Sequence, residues 1–312
     1  MKPDIGRKIT VCLLTYNHAH LIESTINSIQ HQTLSEYEII VSDDCSTDET
    51  WSILQRLSVV DSRIHPIRTP SNLGMPGNAN FAVTQSERPY IALLHHDDIC
   101  RPDLLEKWIG VMERHSEVCF VFNEYGVEGS DFVWRETLQS ECIAGSDFLE
   151  NHLFPRWGCA VRGTAMVHRS AWDAAGGMRP EFGLLADIDL WMRLAMNGAV
   201  GYVPEPLLFL KNDRPEDYPD EYKSLRWSWP RHRYLYEIHA ENRLTYYGLK
   251  NFTARLQWLR FRLRLSMETA KWLTYGVVRN KPDMITSSND SETAYDFMLL
   301  RWYRRFLQRI YY

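Results

Sequence analysis

Two pairs of adjacent carboxylates stand where apolar runs stop: Asp43-Asp44 in EIIVSDDCSTDET and Asp97-Asp98 in YIALLHHDDIC. A pair close to a diphosphate can hold Mg²⁺ or Mn²⁺, hard ions that combine one or two protein carboxylates with substrate phosphates. A carboxylate away from the ion can accept hydrogen bonds from a nucleobase or ribose. An aspartate after a strand can instead cap the next helix, and Asp48, spare in the same turn, is read that way.

The elements that carry these pairs follow from hydrophobic period. Residues 9–14 read as a buried strand, and apolar positions 21, 22, 25, 26 and 29 have helical spacing. A strand over 39–41 comes next. Ser46 and Glu49 have the spacing of a capping box, which predicts a helix through Trp51, Leu54 and Leu57. A strand over 64–68, a Gly/Asn/Pro-rich loop, a helix over about 78–85 and a strand over 90–94 complete a βαβαβαβ run. A helix opened by Pro102, a strand over 118–123, a less regular middle over 124–157, a strand over 163–169 and a helix over about 187–196 follow. Such alternation predicts an α/β fold with a doubly wound, mostly parallel sheet and helices on both faces. Ligands of such sheets bind outside the carboxyl ends of the strands, where both Asp pairs and Thr15-Tyr16-Asn17 fall.

The 312 residues are 45% hydrophobic and 24% charged, a globular composition that is rich in aromatics, with 11 Trp and 16 Tyr. The net charge of −5 hides an asymmetry. Residues 225–312 hold 16 Lys and Arg against 7 Asp and Glu, so this part is strongly basic and the remainder acidic. The six cysteines lack metal-ligand spacing and read as reduced, buried residues of a cytoplasmic protein. The opening residues are too short an apolar run for a signal peptide, and no run spans a bilayer. The expected domains are 1–218 and a basic, aromatic, mainly helical 219–312.

In combination, VCLLTYN, EIIVSDDCSTDET, NLGMPGNANFA, YIALLHHDD and ADIDLWMRLAMNG resemble the family 2 glycosyltransferases, inverting enzymes of the GT-A fold. The resemblance covers about residues 7 to 210. It implies transfer of a sugar from a nucleotide-diphosphate sugar to an acceptor hydroxyl, with a divalent metal, Mn²⁺ or Mg²⁺. By the same resemblance, Thr15, Tyr16 and Asn17 line the nucleotide pocket, Asp44 holds the base, and Asp43 belongs to the same nucleotide-binding set, with support of the turn as its alternative. Asn80 falls on the donor side. Asp98 meets metal and diphosphate with Asp97 beside it, and Asp187 is the catalytic base. His95, His96, Trp191 and Arg193 are candidates for acceptor contact or support.

The implied chemistry is direct displacement. A glycosyl diphosphate has a good leaving group once a metal neutralises its developing charge. One carboxylate then takes the acceptor's proton, with no covalent sugar–enzyme intermediate. The sequence departs from the family pattern in four places: His95 begins the usual Asp-x-Asp-Asp, Ala186 replaces a Glu before the catalytic Asp, Ala79 replaces an Arg, and FLKND lacks a common His.

In the basic tail, FMLLRWYRRFLQRIYY puts Leu299, Tyr303, Phe306 and Ile310 on one helical face with arginines largely elsewhere. That is the form of an interfacial helix on an anionic membrane. Packing on the acidic domain or across a homo-oligomer fits the pattern equally. LRFRLRL suits strand and helix alike, and no nucleic-acid motif accompanies the basic residues. A membrane-bound tail would make a glycan on a lipid carrier the natural acceptor, at the inner face of the cytoplasmic membrane. The competing readings are a catalytically silent sugar-nucleotide-binding scaffold and a nucleotidyltransferase. The second lacks a Gly-rich phosphate loop.

Overall fold

The computed structural model describes residues 5–156, 159–211, 229–249 and 251–278. The chain divides into two compact units, Met1–Arg214 and Pro215–Tyr312. The boundary expected at 218/219 lies outside the described residues, as does the terminal helix expected around 299–310.

The first unit is built on one sheet. Strands β1 (Ile9–Thr15), β2 (Glu38–Asp43), β3 (Ile64–Arg68) and β4 (Tyr90–His95) alternate with helices α1 (Ala19–Gln30), α2 (Thr50–Val60) and α3 (Gly74–Val83). β5 (Asp98–Cys100), α4 (Leu104–Arg114), β6 (Val118–Val127), β7 (Ser130–Trp134) and β8 (Cys142–Ile143) follow. A helical turn α5 (Gly145–Phe148), β9 (Ala165–His168), α6 (Arg169–Ala175), α7 (Ala186–Ala195) and β10 (Ala199–Leu210) complete it. The strand order is β3-β2-β1-β4-β9-β6-β10-β5, with β7 on β6 and β8 on β10.

β1 is buried at every position, as a central strand covered on both faces must be. It pairs in parallel with β2 and β4, and β6 pairs in parallel with β10. β9 runs antiparallel to both β4 and β6. The ends of β1, β2 and β4 therefore share one edge of the sheet with the start of β9 and the end of β6. The core joins Ile9, Val11, Leu13, Ile22, Ile26, Val41, Leu54, Ala92, Leu94 and Trp108.

Three local expectations change. The Ser46–Glu49 capping box does not form, because the Ser46 hydroxyl accepts the Asn17 N–H at 2.8 Å. Asp48 instead accepts the N–H groups of Thr50 and Ala19, each at 3.0 Å, and so serves the starts of both α2 and α1. α3 begins at Gly74, ahead of the expected 78, because Pro76 near its start needs no hydrogen-bond partner. The strand expected over 118–123 runs on to Val127 and folds back as β7, giving order to part of the middle read as irregular. None of the six cysteines is bridged, but only Cys12 and Cys100 are fully buried.

In the second unit, α8 (Trp229–Tyr247) and α9 (Phe252–Val278) are joined by a short turn in which Gly248 has φ +64°. LRFRLRL lies within α9. The Asn251 side chain accepts the Ala254 N–H at 2.8 Å, capping α9. Leu235, Ile238, Ala240, Phe261 and Leu265 are buried. No described helix is long and apolar enough to cross a membrane.

Candidate active site

The sheet edge is assembled by strand register. Thr15 and Asp43 are partners in the β1–β2 ladder, and the next N–H, that of Asp44, donates to the Thr15 carbonyl at 2.9 Å. Thr15 is buried, and its hydroxyl has no hydrogen-bond partner among the described residues. Tyr16 is exposed beside it. Asn17 takes φ +54°, a conformation that Asn tolerates better than most residues, and its side-chain oxygen accepts the Thr47 N–H at 2.8 Å. The loop after β1 is thus tied to the loop after β2.

The first carboxylate pair is largely occupied. Asp43 is fully buried, accepts the Ser46 N–H and faces Nε of Arg68 at 3.2 Å. Burial raises its pKa, and the Ser46 bonds and Arg68 pull against that rise. Asp44 accepts the Thr69 hydroxyl at 2.9 Å and the Leu73 N–H at 2.8 Å, both through Oδ1, which fixes the loop leading into α3. Asn80 spends its whole amide on the main chain of Met178, donating at 2.8 Å and accepting at 2.9 Å.

At the end of β4, each histidine is committed to a carbonyl. Nε2 of His95 donates to Gly163 at 3.2 Å, and Nδ1 of His96 donates to Leu14 at 3.2 Å. The His96 ring stacks on His18 with centroids 3.4 Å apart, and burial lowers its pKa to about 3, so it is neutral near pH 7. Asp97 is half-buried. Asp98 is buried and accepts the Tyr125 hydroxyl at 2.8 Å. Two carboxylates of this kind fit a hard divalent ion that shares its coordination with phosphates. The described residues that already converge as three ligand groups, His115, Glu117 and Cys142, lie at the opposite end of β6.

α7 brings the third component. Asp187, in its first turn, is half-buried, and burial raises its pKa from 3.8 to about 6 against the opposing pull of the Ile188 N–H and His95. A methyl group on Gly163 would stand 3.2 Å from Nε2 of His95 and 3.6 Å from Oδ2 of Asp187. The HHDD segment and the α7 carboxylate therefore flank one backbone position. Trp191, one turn on from Asp187, is fully buried, as is Ala186, where a Glu is usual in the resembling family. Arg193 is a structural tie: it meets Asp189 at 2.7 Å and donates to the Gly177 carbonyl at 2.7 Å. Asp189 also accepts Nε of Arg179 at 2.8 Å.

Gly163, Thr164 and Tyr125 were not marked by sequence. Tyr125 sits in the stretch read as irregular, and its hydroxyl links Asp98 to Thr164. Gly163, at φ +80°, was visible only as the start of the strand GTAMVHR.

The family model described as glycosyl transferase family 2 matches residues 10–175, more than half of the chain. This chain belongs to glycosyl transferase family 2. It is a glycosyltransferase. The match contains both Asp pairs and stops before Asp187. TuaG of Bacillus subtilis, provisionally named for teichuronic acid biosynthesis, is 30% identical over 197 residues, 62% of this chain and 74% of TuaG. WfaP of Escherichia coli, a UDP-Glc:α-D-GlcNAc-diphosphoundecaprenol β-1,3-glucosyltransferase, is 34% identical over 125 residues, 40% of this chain and 48% of WfaP. The family 2 fold recurs in S. aureus TarS 1-349 in complex with UDP-GlcNAc, at TM-score 0.64 and 16% identity over 90% of this chain and 80% of TarS 1-349. It recurs also in the mannosyltransferase PcManGT of Pyrobaculum calidifontis in complex with GDP-Man and Mn²⁺, at TM-score 0.58 and 17% identity over 92% of this chain and 76% of PcManGT. The first unit accordingly has the GT-A fold.

Proposed function

We propose that this glycosyltransferase moves a hexosyl group from a nucleoside-diphosphate sugar to a hydroxyl of a lipid-linked glycan in cell-surface polysaccharide assembly, with inversion. The names carried by TuaG and WfaP support the acceptor class. The observation that supports the mechanism is Gly163, whose Cβ position lies against both Asp187 and His95, the residue that opens the segment bearing Asp97 and Asp98.

Thr15, Tyr16, Asn17 and Asp44 form the nucleotide end of the crevice, where Tyr16 is the exposed member and Thr15 lies buried behind it. Asp43 and Asn80 act through the loops they hold. Asp97 and Asp98 are the residues that would hold the divalent ion, Mg²⁺ or Mn²⁺. When bound, the ion neutralises charge developing on the leaving diphosphate. Asp187 takes the proton of the acceptor hydroxyl as its oxygen bonds to the anomeric carbon, and the bond from that carbon to the phosphate oxygen breaks. Nucleoside diphosphate leaves, and the sugar is inverted. A pKa of about 6 keeps Asp187 mostly ionised near pH 7 yet basic enough to accept that proton. The basic second unit holds the enzyme peripherally on the anionic inner face of the cytoplasmic membrane.

The test is a thermal-shift screen of UDP-, GDP-, dTDP- and CDP-sugars with and without Mn²⁺, on wild type and Asp98→Ala. A donor raises the melting temperature by an amount that grows with its concentration relative to its dissociation constant. One nucleotide should give a metal-dependent shift that Asp98→Ala loses, and the anomeric configuration of the product, read by NMR, should be opposite to that of the donor. Absence of any shift would overturn the donor site.

A further inference from the structure

Beside the carboxylates lies a surface cluster that the proposed reaction has not used. Phe132 and Trp134 on β7 are 51% and 37% exposed, and their rings meet edge to face with centroids 4.6 Å apart. Being two residues apart on a strand, they share a face. Arg162 is exposed and lies over the Trp134 ring at 3.9 Å. Among the described residues, its guanidinium makes no hydrogen bond or ion pair. Glu136, the nearby carboxylate, is engaged by Arg156 at 2.7 Å.

Register connects this cluster to the site. Trp134 is the ladder partner of Tyr125, and directly paired residues of an antiparallel ladder project to the same side. Tyr125 donates to Asp98. Arg162 immediately precedes Gly163, the residue against His95 and Asp187, and Thr164 bonds Tyr125. Arg162 therefore adjoins the position beside the reacting centre along the chain, and Trp134 is tied to it through the β6–β7 ladder.

The geometry points to Phe132, Trp134 and Arg162 as the acceptor wall, shaped for a sugar ring that carries a phosphate. The parts of the Phe132 and Trp134 rings left exposed take the apolar C–H side of a pyranose. The guanidinium, held over Trp134 and without a hydrogen bond or ion pair among the described residues, takes phosphate oxygens, for which its planar fork is suited. This inference rests on the proposed transfer to a phosphate-bearing glycan. A nucleotide sugar also contains a hexosyl phosphate, so the test separates the two sources.

The probe is α-GlcNAc joined through diphosphate to farnesol, titrated into the full chain by tryptophan fluorescence and calorimetry. Trp134→Ala and Arg162→Ala should each weaken it by about tenfold, about 1.4 kcal/mol, and Trp134→Phe should weaken it less. Farnesyl diphosphate without the sugar should respond to Arg162→Ala and not to Trp134→Ala. The thermal shift given by the nucleotide donor should persist in all variants. Thermal unfolding identifies a variant that fails to fold, in which case Trp134→Phe and Arg162→Gln carry the test. No binding of the probe to wild type, or equal binding to wild type and variants, overturns the assignment. Parallel loss of probe and nucleotide binding does so as well, by moving the wall to the donor. If no nucleotide sugar binds wild type, the proposed transfer fails while the probe titration still decides whether the wall exists.

Discussion

Asp187 can act as a base only when ionised, and its surroundings oppose ionisation. Turnover should therefore fall about tenfold per pH unit below about 6, with a single-proton acid limb in a pH–rate profile. Asp187→Asn should lower turnover by about 10²–10⁴-fold while nucleotide binding remains. The same shift makes a stability prediction of defined sign. Folded Asp187 holds its proton up to about 6, whereas the unfolded chain releases it near 3.8, so stability declines as pH rises through that window. Asp187→Asn removes the decline. The variant should melt at or above wild type at pH 7.5, with the difference gone at pH 4. A variant that melts lower at both values would show Asp187 to be a structural carboxylate. Gly163 makes a second test at this scale. A side chain there meets both φ +80° and the His95 and Asp187 atoms, so Gly163→Ala should cost about 1–3 kcal/mol and reduce turnover together with stability.

Among the elements, α7 shows how two aspartates of one short motif take different work. Asp187 and Asp189 are two residues apart on a helix and so point to opposite sides. One reaches the rim, and the other is buried between Arg179 and Arg193. Removing one partner of such a buried cluster leaves uncompensated charge, so Asp189→Asn should cost about 3–5 kcal/mol in denaturant unfolding. Sequence period found the strands and most helices of the first unit, because β1, α1 and β4 bury simple repeating patterns. It missed β7 because Ser130–Trp134 is an exposed edge strand whose position depends on pairing with β6. The placement of the candidate carboxylates at strand ends was legible, but their partners were not. That Tyr125 reaches Asp98, or that Asn80 serves Met178, depends on contacts distant in sequence. In the second unit, burial holds the pKa of His239 down at about 3, with Arg243 of its own helix and Arg264 of α9 adding to the effect. Its contribution to stability is complete above the unfolded value of 6.5 and is lost as pH falls from there toward 3. Hydrogen exchange over residues 235–265 should accelerate as pH falls through 6 toward 4, after correction for intrinsic rates, and His239→Phe should suppress that acceleration.

For the whole molecule, the charge division makes a membrane the partner to test first. α9 buries Ala254, Phe261 and Leu265 on one side and exposes Phe252, Leu259, Leu263 and Met267 on the other. Helical spacing aligns those four in one stripe, with Arg255 and Arg262 along one margin and Arg260, Arg264 and Lys271 along the other. An apolar stripe edged by cations suits an anionic interface, in which the stripe enters the acyl boundary and the cations meet headgroups. The full chain should co-sediment with phosphatidylglycerol vesicles and much less with phosphatidylcholine, and 1 M salt should weaken the binding. Leu263→Glu with Met267→Glu should reduce binding by about tenfold or more, because each places a charge where burial is required. Removing residues 297–312 tests separately whether the terminal arginines contribute. If the full chain ignores vesicles but sediments as a dimer that the two glutamates dissociate, then the stripe is covered by a second copy. A glycan on a lipid carrier would in that case have to reach the active site without help from α9.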